Sequence, residues 1–269
     1  MTKQAHDHGS LFEATELLEQ VESSPRRLQP YGDYKPSGMR WLLQVPSHWD
    51  VLKLKYITDI RTSNVDKKSR DDEDGVLLCN YVDVYHRDYI NDTIDFMRAT
   101  ASKEQINRFT LCGGDVLITK DSETWDDIAV PAYVESDMPG VLCGYHLALI
   151  RARPEVALGE YLFRAFDTHA IRDQFRVRAN GVTRYGLPRD GVTSALFPVP
   201  PVTEQHAIAA FLRREARKID SLVGGLAADV SGDGLMARQA RFLHEYRSCL
   251  VSAAVTGQID VRGEVADGP

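Results

Sequence analysis

Three stretches of the sequence concentrate side chains that can hydrogen-bond a polyanion or the edge of a base. Arg61-Thr62-Ser63-Asn64 runs on to Lys67, Lys68 and Arg70; Lys120-Asp121-Ser122-Glu123-Thr124-Trp125 is a second polar block; and Arg176, Arg178, Asn180, Thr183 and Arg184 flank Gly181. Arginine, lysine, asparagine, glutamine, serine and threonine can read base edges, while arginine, lysine and hydroxyl groups hold phosphates. The charge is patterned to match. From Lys53 to Arg70 six basic residues (Lys53, Lys55, Arg61, Lys67, Lys68, Arg70) face two acids (Asp59, Asp66), and from Arg151 to Arg189 eight arginines face four acids. Over the whole chain, 32 basic and 39 acidic residues give a net charge of −7. Taken alone, that total argues against a nucleic-acid binder. The acids gather elsewhere, in Asp71-Asp72-Glu73-Asp74 and toward both ends.

Catalytic chemistry finds no complete constellation. A phosphate-cradling GxxxxGK[ST] loop is missing, since no glycine is followed by Lys and then Ser or Thr. Gly232-Asp233-Gly234-Leu235-Met236-Ala237 fits GxGxxA, but it follows a helical pattern where the dinucleotide fold needs a strand. His6 and His8 stand in a terminal stretch, and the other histidines show no HExxH or comparable pairing, so no metal site is expected. Cys79, Cys112, Cys143 and Cys249 lie more than 30 residues apart, which suits buried free thiols and not a zinc knuckle. Pro198-Val199-Pro200-Pro201-Val202 lacks the polar and aromatic residues of an adenine-methyltransferase NPPY or DPPY motif. No spaced acids lead to the Glu-x-Lys of a magnesium nuclease, and Asp115, Asp121 and Asp126 read as turn residues.

The elements that must position these groups follow from length and pattern. At 269 residues the chain suits one large or two modest domains, and 43% hydrophobic with 26% charged residues excludes a disordered or fibrous chain. With no apolar run of about 18 residues and no signal-like N-terminus, no membrane association and a cytoplasmic location are expected. Leu11 to Val21 has helical spacing; Pro25 to Pro46 reads as an extended arm with turns. Short apolar runs at Val76 to Val84, Val116 to Thr119, Ile128 to Val134 and Val141 to Arg151 predict strands, and Ser102 to Phe109 and Gly159 to Phe175 predict helices. Beyond Pro200-Pro201, with Thr203 as N-cap, Leu212, Ala216, Ile219, Val223, Leu226 and Val230 recur as a heptad seam. Leu243, Tyr246, Leu250 and Ala254 continue the apolar face beyond glycines 224, 225, 232 and 234, where the helix is expected to fray or turn. Unbroken, Thr203 to Thr256 would span roughly 80 Å.

The order of blocks carries a resemblance. YGDYKPSGMRWLLQVPSHWDVLKLK from Tyr31, then GGDVLITKDSETWDDIAVPAYV, VLCGYHLALIR, GVTRYGL, FPVPPVTEQHAIAAFLRREARKID and the closing VTGQIDVR resemble successive blocks of the specificity subunits of type I restriction-modification systems, over about residues 31 to 262. The resemblance implies an α+β chain without catalysis of its own. Its parts would be an N-terminal extension (1–30), a mixed α/β DNA target-recognition domain (31–200), a long coiled-coil-like helical spacer (201–262) and a disordered tail (263–269). The partners it implies are double-stranded DNA, a methyltransferase subunit, a restriction/translocase subunit and a second copy of the chain. No cofactor is expected on this chain, with S-adenosylmethionine, ATP and magnesium on the partner subunits. The family pattern has two recognition domains and two helices; this sequence shows one of each, so it reads as a half-subunit. A protein-binding adaptor on the same fold and a remnant specificity subunit are the alternatives.

Readers of sequence differ between relatives, so DNA contacts are assigned on chemistry alone. They are Arg61, Asn64, Lys67, Lys68, Lys120, Ser122, Thr124, Arg178, Asn180 and Arg184, each with a merely solvated loop as its alternative. Trp125 is expected in the core, Tyr185 packs or touches a phosphate, and Tyr85, His86 and Arg87 form a weaker set. Leu212, Ala216, Ile219, Val223, Leu226, Leu243, Tyr246 and Leu250 are expected to pair with a partner helix.

Overall fold

A computed structural model describes residues 28–226 and 235–265. The helix expected at Leu11 to Val21, the GxG of the dinucleotide-like pattern and seam position Val230 lie outside them. Fifteen strands and eight helices are found among the described residues, which bears out the α+β class and the C-terminal helical segment.

The centre is a five-stranded sheet in the order β4 (Thr58–Thr62), β13 (Leu147–Ala152), β9 (Val116–Thr119), β11 (Pro131–Val134) and β6 (Tyr89–Ile90). Its pairs are antiparallel except β11 with β6. The apolar runs at its middle are buried on both faces, and the two-residue period divides them. Val116, Ile118, Ala148 and Ile150 enter one hydrophobic cluster with the helices; Leu117, Leu147 and Leu149 enter a second, with the other sheet. That second sheet, in the order β7 (Met97–Ala101), β5 (Asp74–Cys79), β12 (Met138–Cys143) and β8 (Thr110–Leu111), covers one face. Helices α4 (Gly159–Phe166), α5 (His169–Arg176), α7 (Val202–Leu226) and α8 (Leu235–Val255) supply the other cluster. The result is three layers, with the central sheet shared.

Several boundaries differ from the sequence pattern for local reasons. The arm expected to lack elements forms a hairpin of β1 (Tyr34–Met39) and β2 (Leu42–Pro46) that turns at Arg40 and Trp41; Gly38, whose φ of 71° suits glycine, lies where the register of β1 shifts. The run from Val76 ends as a strand at Cys79, because the Asn80 amide donates to Asp83 at 2.8 Å and opens helix α2 (Tyr81–Tyr85). The run from Val141 to Arg151 is two strands, split by a turn in which Leu147 N–H donates to the Gly144 carbonyl at 3.0 Å. Asp167 and Thr168 divide the helix expected from Gly159 to Phe175. Helix α7 begins one residue before Thr203, with the Pro201 carbonyl accepting from Glu204 and Gln205 N–H at 2.8 and 3.0 Å.

The spacer is a helical hairpin and not one rod. Helix α8 runs back along α7, so that Asp220 meets Arg247 at 3.4 Å while the start of α7 lies beside the chain that follows α8. There, buried Glu204 accepts from Trp49 Nε1 at 3.0 Å and from the Tyr31 hydroxyl, and His48 Nε2 lies 2.8 Å from its other oxygen. Tyr34 donates to the Gly257 carbonyl at 2.9 Å, which fastens the hairpin's closing segment to the arm. The 25 residues of α7 span about 37 Å. The pairing seam is corrected accordingly. Leu212, Ala216, Ile219 and Leu250 are buried within the chain because the two helices close on each other and on α4, so they present no open face to a partner. Val223 and Leu243 are half-buried and Tyr246 is exposed; Leu226 ends α7, and its side chain lies outside the described residues.

Candidate nucleic-acid interface

Strand register brings the polar loops to one edge of the central sheet. Ala148 sits opposite Thr62 and Leu147 opposite Thr119, so the ends of β4 and β9 and the start of β13 are neighbours. The loops that leave them are cross-tied: Ser63 N–H donates to the Leu147 carbonyl at 3.1 Å and Lys120 N–H to the His146 carbonyl at 3.0 Å. The arginine-rich stretch joins through a short ladder in which β10 (Asp121–Ser122) pairs with β14 (Tyr185–Gly186), and Leu187 N–H donates to the Lys120 carbonyl at 2.8 Å. Residues 63–70, 120–127, 144–146 and 178–187 thus share one end of the molecule, although up to 124 positions separate them in sequence.

Within that end, the expected residues divide into outward and committed groups. Lys67, Lys68, Asn180 and Arg184 are exposed, as are Val182 and Thr183 between the last two. Val182 is 93% exposed at the tip of a finger closed by the reciprocal bonds of Asn180 with Gly186. Gly181 is required there, since its φ is 152° and an added Cβ would lie 1.9 Å from the Arg184 carbonyl oxygen. Arg178 is exposed and donates to Ser194 Oγ at 2.5 Å; Thr124 is exposed and donates to Asp127 at 2.5 Å.

Four of the expected contacts are engaged inside the protein. Arg61 lies on β4 and not in a loop, its guanidinium donating to Asp59 and, at 2.8 Å, to the Arg108 carbonyl. Asn64 is exposed, but its side-chain oxygen accepts from Gln105 at 3.3 Å, on the wall of a separate cavity with Arg70 and Glu73. Lys120 places its ammonium 2.6 Å from Asp121 and 4.6 Å from the centroid of the Tyr145 ring. Ser122 is 5% exposed, with its hydroxyl 3.2 Å from that of Tyr81 and accepting from Thr124 N–H at 3.3 Å. A hydroxyl so placed holds two elements together and is withheld from solvent.

The aromatic expectations are corrected in the same region. Trp125 is 52% exposed with the Arg176 guanidinium over its ring, because a 3-10 turn at Trp125–Asp127 carries it out of the core. Tyr185 packs against the helix-side core. Tyr85 donates to Asp127 at 3.0 Å and stacks on Tyr81, with ring centroids 5.4 Å apart, while His86 and Arg87 are exposed. Burial pushes the Tyr81 hydroxyl above the ordinary phenol range, and the nearby positive charge of Arg184 opposes part of that rise. Sequence reasoning missed Tyr81, Tyr145 and His146, which face the same end as the basic loops. Gly144 was the available signal: it interrupts the run Val141 to Arg151, and an added Cβ there would lie 2.6 Å from the Cys79 carbonyl oxygen.

Among the described residues no group of three or more His, Cys, Asp or Glu side chains is arranged to hold a metal ion, and no helix is long and apolar enough to cross a membrane. No protein-family profile and no curated protein matches the sequence. Solved structures do. A chain from a study of complex assembly and conformational transition in the type I R-M system superposes with a TM-score of 0.51 at 14% identity, covering 93% of this chain and 54% of its own. The HsdS subunit from Thermoanaerobacter tengcongensis matches with a TM-score of 0.46 at 13% identity, over 93% of this chain and 53% of its own. The type I restriction-modification S subunit from M. genitalium matches with 0.41 at 13% identity, over 66% and 41%. The chain therefore spans about half the length of the first two, and its fold is that of the type I R-M chain.

Proposed function

We propose that this chain is a non-catalytic DNA-specificity module of a type I restriction-modification complex. Its loop end would read double-stranded DNA, and its helical hairpin would dock a methyltransferase subunit and, through it, a restriction/translocase subunit. The observation that carries this reading is the convergence of three separate polar loops on one end of a fold shared with a type I R-M chain. S-adenosylmethionine, ATP and magnesium would serve the partner subunits, and this chain would supply the address.

Self-association is part of the proposal, on a revised surface. With Leu212, Ala216 and Ile219 enclosed, the large outward apolar residues among the described residues of the hairpin are Leu235, Phe242 and Tyr246, the last two one helical turn apart on α8. Two copies joined there by a two-fold axis would present the same reader twice, and the target would be a palindrome split by a spacer. Sedimentation of the methyltransferase complex tests this: one copy of the chain together with an asymmetric site would contradict it.

Filter binding of the purified chain to duplex DNA across a range of salt tests the main reading. Each phosphate contact adds about 0.9 to the negative slope of log affinity against log salt, so several contacts give a steep loss of binding. A flat dependence would favour the protein-binding adaptor. Incubation with S-adenosylmethionine or with magnesium should leave DNA unmodified and uncut.

A further inference from the structure

A cavity of about 120 Å³ opens at the loop end, with Lys67, Tyr81, Tyr145 and His146 among its walls. At less than half of the roughly 300 Å³ at which pockets take drug-sized ligands, it suits one planar group and not a whole cofactor. Its walls come from three elements held against one another. Gly144 N–H donates to the Cys79 carbonyl at 2.9 Å, fixing the turn that carries Tyr145 and His146 against the start of α2, where Tyr81 sits. The Lys67 loop forms the third side, following Ser63, whose hydroxyl donates to the Cys143 carbonyl at 2.6 Å. The pocket is thus built before any ligand arrives.

One ring in it is set. His146 Nδ1 lies 3.3 Å from Asp121 Oδ2, an oxygen that also takes the Lys120 ammonium at 2.6 Å. A carboxylate accepts only, so in the neutral imidazole the proton sits on Nδ1 and Nε2 is left as an acceptor. Among the described residues no hydrogen bond engages Nε2, whereas Lys120, Ser122 and Asp121 are all occupied nearby. In the major groove the exocyclic amino groups of adenine and cytosine are the donors that an acceptor can select.

The geometry points to His146 as a base-reading residue, accepting through Nε2 from the major-groove amino group of an adenine or cytosine presented at the mouth of the cavity beside Tyr145. This rests on the DNA-specificity reading above. Asp121 is then a positioning residue, fixing the ring, and Lys120 keeps its carboxylate from repelling the phosphates.

The test selects binding sites from a random duplex library at pH 8 with the full-length chain and with His146→Ala, His146→Asn and His146→Gln, each checked for an unchanged unfolding midpoint. The unmodified chain should show A or C at one position that depends on residue 146. Ala and Asn should lose that preference alone, by roughly 5- to 100-fold, and Gln, which carries an amide oxygen at the outer position, should keep part of it. Full preference in the Ala variant would overturn the assignment. So would rescue by Asn and not by Gln, since Asn retains only the inner contact to Asp121, or a loss spread over every position. Salt-dependent binding with no preference by the unmodified chain would overturn the sequence-reading role as well as the residue.

Discussion

Arg184 and Ser122 came from the same chemical argument and occupy opposite situations. Arg184 stands on an exposed finger, so Arg184→Ala should weaken binding to all duplexes alike and lower the salt slope by about one unit, measured by titration at two or more salt concentrations. Arg178→Ala should do the same, with the added loss of its bond to Ser194. Ser122→Ala should instead leave base preference intact and cost about 1 kcal/mol of stability in urea, because its buried hydroxyl joins Tyr81 to the Thr124 amide. Asp260 offers a pH test. Its carboxyl is held below the ordinary aspartate range chiefly by the Arg262 guanidinium, at 2.6 Å. A depressed folded value means that the pair stabilises above the unfolded pKa, near 4, and that this contribution is lost as pH falls through the folded one. The stability of Asp260→Asn should therefore fall below that of the parent at pH 7, by under about 1 kcal/mol for so open a pair, and converge with it as pH falls through the folded value.

At the scale of elements, the sequence was read best where one local pattern decides the outcome. Val116 to Thr119 became a strand with those bounds, and the helix expected from Ser102 to Phe109 is found at Lys103–Phe109 behind a Ser102 cap, because period and cap chemistry are local. The heptad seam was legible as an apolar stripe, but a stripe does not say which surface will cover it. Here the chain returns on itself, and the cover is α8 and α4 of the same molecule. Ile219→Ala should accordingly cost about 2 to 4 kcal/mol at every protein concentration, since its side chain fills an intrachain contact. A midpoint that rises with concentration would place that residue between subunits. The candidate site was legible as three polar stretches and no further. What joins them is strand register, Leu147 opposite Thr119 and Ser122 opposite Tyr185, and pairing across 28 and 63 positions leaves no mark in any one short window.

For the molecule as a whole, the net charge of −7 and the proposed role on DNA are reconciled by placement. Lys67, Lys68, Arg178 and Arg184 share the loop end, while the pair of Asp88 with Arg247 and that of Glu160 with Arg213 tie the hairpin to the mixed domain. On the proposed reading, a module with its readers at the loop end and a helical hairpin packed against the mixed domain would address an enzyme without performing its reaction. The most direct test is to sequence modified bases in the genome of a host that makes this chain together with a methyltransferase subunit of its system. Adenine methylation should appear at one defined motif when both are present, vanish when this chain is omitted, and lose definition when the finger Gly181 to Arg184 is deleted. Methylation at the same motif without this chain would contradict the account.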